Sequence, residues 1–184
     1  AVVYGKPAYS PIDETAEKLC LMYGRTKGPP ATVLRLWWAF GQEIGGKHLR
    51  EMIRIAEAGD PLEVPGDSGG SFLHMEDLAR GLDLCLENPK AFGRTFNLST
   101  IYVTWEEVAE MVRDATGSRS EIRCVPRKEW TGSAFLADPW ELSDAAAREL
   151  LGYRPMNPSE AKASLKAAIS ACSRTMMGSK AKNL

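Results

Sequence analysis

Short β-branched or apolar runs alternate with amphipathic segments of helical period along almost the whole of this 184-residue chain, and that alternation narrows its folds more than any other feature. Residues 31–38 (ATVLRLWW), 62–64 (LEV), 95–99 (TFNLS) and 121–126 (EIRCVP) read as strands. Residues 2–4 read as a further short strand, ended by Gly5 and the turn-rich KPAYSP. Helices are expected between them, over residues 14–27, 47–58, 75–87, 104–116 and 143–151, with a last one from 157 to near Cys172. The expectation is a three-layer α/β fold. A small, mostly parallel sheet holds residues 33–37 and 95–98, and helices 47–58, 75–87 and 104–116 pack around it.

The helix ends carry their own signals. Thr104 and Glu107 have the spacing of a capping box, and Gly59, Gly117 and Gly152 stand where a left-handed terminator belongs. Asn157 and Pro158 suit the N-cap and first position of the last helix. Apolar spacing also names the buried faces: Ala16, Leu19, Cys20 and Tyr23 on the first helix, and Leu49, Met52, Ile53 and Ala56 on the second. On the third they are Leu78, Ala79, Leu82 and Leu86. Residues 1–172 are expected to form one domain, and the small, basic tail 173–184 to be frayed and disordered.

Composition removes several classes of function. A formal net charge of -1 gives no electrostatic footprint for nucleic acid or an anionic membrane. No apolar run approaches the ~20 residues of a membrane span. Cys20, Cys85, Cys124 and Cys172 are scattered, with no CxxC and no His at ligand spacing. They read as reduced, mostly buried thiols of a cytoplasmic protein, with no metal site.

Tyr23 and Lys27 stand four residues apart, so on a helix both side chains leave one face. A phenol is a poor base at neutral pH, and an adjacent ammonium favours its phenolate, so the pair suits proton transfer coupled to hydride transfer. The same spacing equally describes a Tyr packed on a core beside a solvated Lys. Gly28, Pro29 and Pro30 end the helix at once.

The motifs follow one order: AVVYG, PxxxxSPIDET, YGRTK, ATVLRLWWAFG, GDSGGSFLHMEDLARG, RTFNLS and finally ELSDAAARELLGYRP. This succession resembles the extended short-chain dehydrogenase/reductase family, the NAD(P)-dependent sugar-nucleotide epimerases and dehydratases, from Ala1 to about Pro155. The resemblance implies a partial Rossmann-like, NAD(P)-binding fold: the C-terminal half plus a small substrate-binding subdomain. It implies that Tyr23 is the acid/base at a substrate hydroxyl, that Lys27 holds the nicotinamide ribose, and that NAD or NADP is the cofactor. It places Trp38 and His74 on the side of a small-molecule substrate, with Asp77 beside them. Capping and helix-dipole contacts explain His74 and Asp77 equally well.

The chain departs from that family's pattern at several places. It has no GxxGxxG turn, and the first half of the family's fold has no counterpart in it. Only residues 28–34 separate Lys27 from Arg35, fewer than the ~10–12 of a parallel crossover. Either the crossover is lost or the 16–27 helix has taken its place. Gly70 stands where the family has an Arg that grips a nucleotide diphosphate, and Trp38 stands where it often has Asn. Two functions are therefore expected as alternatives. One is an epimerase, dehydratase or reductase by lineage, inactive as the isolated chain. The other is a non-catalytic domain that binds a partner, either a second copy or a separate N-terminal half.

Overall fold

The computed structural model describes residues 11–26 and 28–181, so the expected strand at residues 2–4 and the candidate Lys27 lie outside the described residues. Helix α1 spans Pro11–Thr26. The Gly28 N–H donates to the Tyr23 carbonyl at 3.0 Å, a bond that closes the last turn of a helix before the two prolines. The face expected to be buried is turned outward: Leu19, Met22 and Tyr23 are each more than half exposed. Glu17, Leu21 and Gly24 face the protein instead. Gly24 permits the close approach, since a Cβ there would lie 2.8 Å from the Ala31 nitrogen.

The run at residues 31–38 is two strands, not one. β1 (Val33–Arg35) and β2 (Trp38–Phe40) are separated at Leu36 and Trp37. β1 pairs in parallel with β5 (Thr95–Asn97), and β2 in parallel with β4 (Gly69–His74). β4 continues antiparallel to β6 (Ile101–Thr104), and β3 (Leu62–Pro65) pairs in parallel with β7 (Ile122–Val125). The expected parallel pairing of the two segments therefore holds, but the sheet is three small sheets. The break coincides with Trp37, whose ring stacks on Phe135 at 5.4 Å and meets Phe72 edge-on at 5.2 Å. That anchoring turns the chain from its first strand partner to its second.

β4 is buried along its whole length and stands between two cores. Its alternation sends Phe72 into one cluster with Ile53, Leu62, Val112 and Ile169, and Leu73 into another with Phe96, Leu98 and Tyr153. Helix α2 (Lys47–Ala58) buries Leu49, Met52, Ile53 and Ala56 as expected and ends at Gly59 with φ 79°. Helix α4 (Trp105–Thr116) carries the expected capping box between Thr104 and Glu107.

Helix α3 (Met75–Cys85) forms where expected but is rotated about its axis. Leu82 and Leu86 are exposed, while Asp77 and Gly81 are buried. Gly81 packs under Leu98 so closely that a side chain would not fit there, and the buried bonds of Asp77 set the rotation. Two short helices follow β7: α5 (Ala134–Ala137) and α6 (Ala145–Leu151). Helix α7 (Pro158–Ala181) does not stop near Cys172 but continues through the basic tail, because Ser173 is buried and Met176 packs on the core. The four cysteines are free, but only Cys172 is buried; Cys20 and Cys124 are exposed. Among the described residues no helix is long and apolar enough to cross a membrane.

Candidate functional site

The parallel register of β2 on β4 sets Trp38 opposite Phe72 and Phe40 opposite His74. Residues two apart on a strand share a face, so these four side chains line one side of the sheet. Trp38 stacks on Phe72 at 5.6 Å, and Phe40 meets the His74 ring edge-on at 5.1 Å. Trp38 and His74, the two residues expected on the substrate side, therefore lie on one face of the sheet, each against a different ring. The Trp38 indole donates to the Gly45 carbonyl at 2.9 Å, and its ring fills the space that a side chain at Gly46 would need.

His74 caps α3. Its Nδ1 accepts the Glu76 N–H at 3.2 Å, and its own N–H donates to Thr100 Oγ1 at 2.8 Å. Asp77 is fully buried. Its carboxylate accepts Thr100 Oγ1–H at 2.5 Å, the Met156 N–H at 3.0 Å and an Arg80 guanidinium N–H at 2.9 Å. These bonds tie the start of α3 to the β5–β6 turn and to the segment entering α7. Asp77 is thus a positioning residue that fixes the helix that His74 caps.

Tyr23 stands elsewhere, on the last turn of α1. It is 58% exposed, and its ring lies over Gly28. An open cleft of about 550 Å³ lies at that end of α1 between Arg25 and Arg94, but Tyr23 is not part of its lining. No described ring contact or hydrogen bond joins the Tyr23 side chain to Trp38 or His74.

A second pocket, of about 270 Å³, opens beside His74. Its lining includes Gln42 after β2, Glu76 at the start of α3 and Ser164 on α7. Sequence reasoning missed Gln42 and Ser164. Nothing local marks them, because the pocket exists only where α7 packs back across the end of β4. Among the described residues no group of His, Cys, Asp and Glu could hold a metal ion.

The described residues do not form a cradle for the pyrophosphate of a dinucleotide. Such a cradle needs free backbone N–H groups at a glycine-rich strand–helix turn. The first turns of α3 and α4 already donate to their own caps, His74 and Thr104. α2 starts without a side-chain cap, and there the Trp38 ring stands against Gly46. Gly69 and Gly70 serve close packing instead: a side chain would strike the Val103 carbonyl in the first case and the Trp37 ring in the second.

The sequence model described as "Epimerase: NAD dependent epimerase/dehydratase family" matches residues 8–99. A trifunctional UDP-glucose 4,6-dehydratase/UDP-4-keto-6-deoxy-D-glucose 3,5-epimerase/UDP-4-keto-L-rhamnose-reductase of Arabidopsis thaliana is 26% identical over 149 residues, covering 77% of this chain and 22% of the relative. An uncharacterized UDP-glucose epimerase of Bacillus subtilis is 25% identical over 145 residues, covering 77% of this chain and 44% of the relative. Among solved structures, the UDP-glucose 4-epimerase of Thermotoga maritima with UDP-glucose superposes with a TM-score of 0.65 at 19% identity, over 89% of this chain and 52% of that one. The UDP-N-acetylglucosamine 4-epimerase of Bacillus cereus gives 0.63 at 22% identity, over 88% and 54%. The chain thus spans about half of those structures, and less than half of the two curated relatives.

Proposed function

The chain belongs to the NAD dependent epimerase/dehydratase family, and from that premise we propose that it is the substrate-side, C-terminal part of an NAD(P)-dependent enzyme, inactive by itself. Its reaction is epimerisation, dehydration or reduction at a hydroxyl or carbonyl carbon of a sugar nucleotide or related substrate. The observation that supports this most is the extent of the family match. Residues 8–99 run from α1 through β5 and so include Tyr23, Lys27, Trp38 and His74. The relatives' sugar-nucleotide chemistry supplies the substrate class.

In this reading the Tyr23 hydroxyl exchanges a proton with the reacting hydroxyl, Lys27 assists it, and the Trp38–His74 face orients the sugar. No step is assigned to the dinucleotide, because the described residues do not fit its pyrophosphate. A second reading, a non-catalytic binding or oligomerisation module, draws support from one observation: Tyr23 is solvent-exposed and apart from the Trp38–His74 face.

A fusion decides between them. The unmatched part of the Bacillus cereus UDP-glucuronic acid 4-epimerase, a structure solved with UDP-glucuronic acid and NAD, is joined ahead of this chain. The enzyme reading expects turnover of UDP-glucuronic acid that Tyr23→Phe lowers by about 10²–10⁴-fold. A fusion that binds NAD and turns over equally well with and without the Tyr23→Phe substitution removes Tyr23 from the chemistry. A fusion that binds both ligands and does nothing supports the binding module.

A further inference from the structure

The cleft at the end of α1 is cationic. Pro30 and Ala31, which lead into β1, form one wall, and Phe92, Gly93 and Arg94, which lead into β5, form the other. The cleft therefore lies at the N-terminal end of that parallel pair, whereas the chain reaches Trp38 only after leaving the opposite end of β1. The walls are pinned together: the Gly93 N–H donates to the Ala31 carbonyl at 2.8 Å, and Thr32 Oγ1–H to the Ala91 carbonyl at 2.9 Å. The Arg25 guanidinium reaches across to the Gly93 carbonyl at 3.3 Å, and Arg94 is the next residue. Among the described residues that long bond is the only one the Arg25 side chain makes, and the Arg94 side chain makes none. No described carboxylate lines the cleft. Free carbonyls at a helix C-terminus repel anions, but here the Met22 carbonyl accepts Thr26 Oγ1–H at 3.0 Å and the Tyr23 carbonyl accepts the Gly28 N–H. Two unneutralised guanidinium groups beside the 38% exposed Phe92 ring suit an anion that carries an apolar body.

We propose that this cleft binds an organic phosphate monoester, its phosphate held by Arg25 and Arg94 and its apolar body laid against Phe92 and Pro30. A guanidinium fork matches a pair of phosphate oxygens, and two forks suit the nearly two charges of a monoester. The volume of about 550 Å³ admits a phosphate with one ring attached. The site is separate from the proposed reaction: Tyr23 is not part of its lining, and Trp38 and His74 belong to another sheet.

Isothermal titration of the 184-residue chain with phenyl phosphate at low ionic strength is expected to give saturable binding with a roughly millimolar Kd, weakening as salt is added. Benzoate has the ring but one charge, and inorganic phosphate has the charge but no ring, so each is expected to bind more weakly. Arg25→Gln and Arg94→Gln change exposed side chains and are each expected to weaken phenyl phosphate binding about three- to tenfold. Phe92→Ser is expected to bring phenyl phosphate down to the affinity of inorganic phosphate. Arg119→Gln removes an equal charge from an exposed position between α4 and β7 and is expected to leave binding unchanged. No saturable binding, undiminished binding in the Arg25, Arg94 or Phe92 variant, or an equal loss in Arg119→Gln would overturn the proposal. So would benzoate or inorganic phosphate binding as tightly as phenyl phosphate.

Discussion

Glu17 of α1 clamps Arg35 at the end of β1: the Arg35 Nη2–H donates to Glu17 Oε2 at 2.6 Å and Nε–H to Oε1 at 2.9 Å, with both side chains about 15% exposed. This forked pair attaches a helix on which Leu19, Met22 and Tyr23 point to solvent. A charge-assisted contact and the close approach at Gly24 thus join Leu21 in holding α1 to the sheet.

Breaking that pair should loosen α1. Glu17→Ala removes the forked contact to the largely buried Arg35 guanidinium, at a cost of about 1.5–3 kcal/mol in urea denaturation. The double variant with Arg35→Met should recover part of the loss. Equal stability of Glu17→Ala and the parent chain would show that α1 is attached by other contacts.

Asp77 should be as sensitive as any residue on the substrate side. Its carboxylate accepts from Thr100, Met156 and Arg80 with no solvent access. Asp77→Ala leaves buried donors unpaired and is expected to cost about 3–5 kcal/mol. A change under about 1 kcal/mol would mean that the β5–β6 turn and the entry to α7 are fixed independently.

Gly70 is closed to substitution by Trp37. Gly70→Arg must displace that ring, since even a Cβ there would lie within 2.4 Å of three of its atoms. We expect about 1–3 kcal/mol of destabilisation from overpacking and a red-shifted tryptophan emission as Trp37 meets water. Unchanged emission and stability would show that the ring moves aside freely.

The helices were legible in the sequence where local chemistry decides them, but the orientation of α1 and α3 was not. The Thr104–Glu107 box and Gly117 bracket α4, and the spacing of Leu49, Met52, Ile53 and Ala56 gives both the extent and the face of α2. For α1 and α3 the apolar period gives a helix but the wrong face. A long-range polar bond set the rotation in each case, Glu17 to Arg35 and Asp77 to Thr100, and hydrophobic spacing carries no record of such bonds. The division of residues 31–38 into two strands depended on Trp37 finding Phe135, almost a hundred residues downstream. Within the candidate site, Trp38 and His74 were read from the motif order and do share a face. Ser164 could not be read, since only the packing of α7 brings it near.

Tyr153 makes a prediction at alkaline pH. It is fully buried, and its hydroxyl donates to the Ser99 carbonyl at 3.3 Å. Burial, and then the negative charges of Asp77 and Asp144, push its phenol well above the usual value of 10.0, against the smaller pull of Arg80 and Arg148. Because the folded value is raised, the stabilisation is complete below the unfolded value. It is lost as pH rises through 10.0 toward the folded one, where only the unfolded chain ionises. Denaturation melts across that range should show stability falling in the parent and falling less steeply in Tyr153→Phe. Identical slopes would place the phenol in water.

The central claim is that this chain supplies the substrate side of an NAD(P)-dependent reaction and does not hold the dinucleotide alone. A pyrophosphate draws most of its grip from backbone N–H groups at a glycine-rich turn and the helix behind it. Tyr23 and Lys27 could offer at most one or two charge-assisted bonds of about 1.5–3 kcal/mol each, before ordering costs, whereas a millimolar site needs about 4 kcal/mol net. Isothermal titration of the 184-residue chain with NADH measures this directly. The account predicts no saturable binding tighter than about millimolar. Saturable micromolar binding by the monomer, abolished in Lys27→Ala, would contradict it.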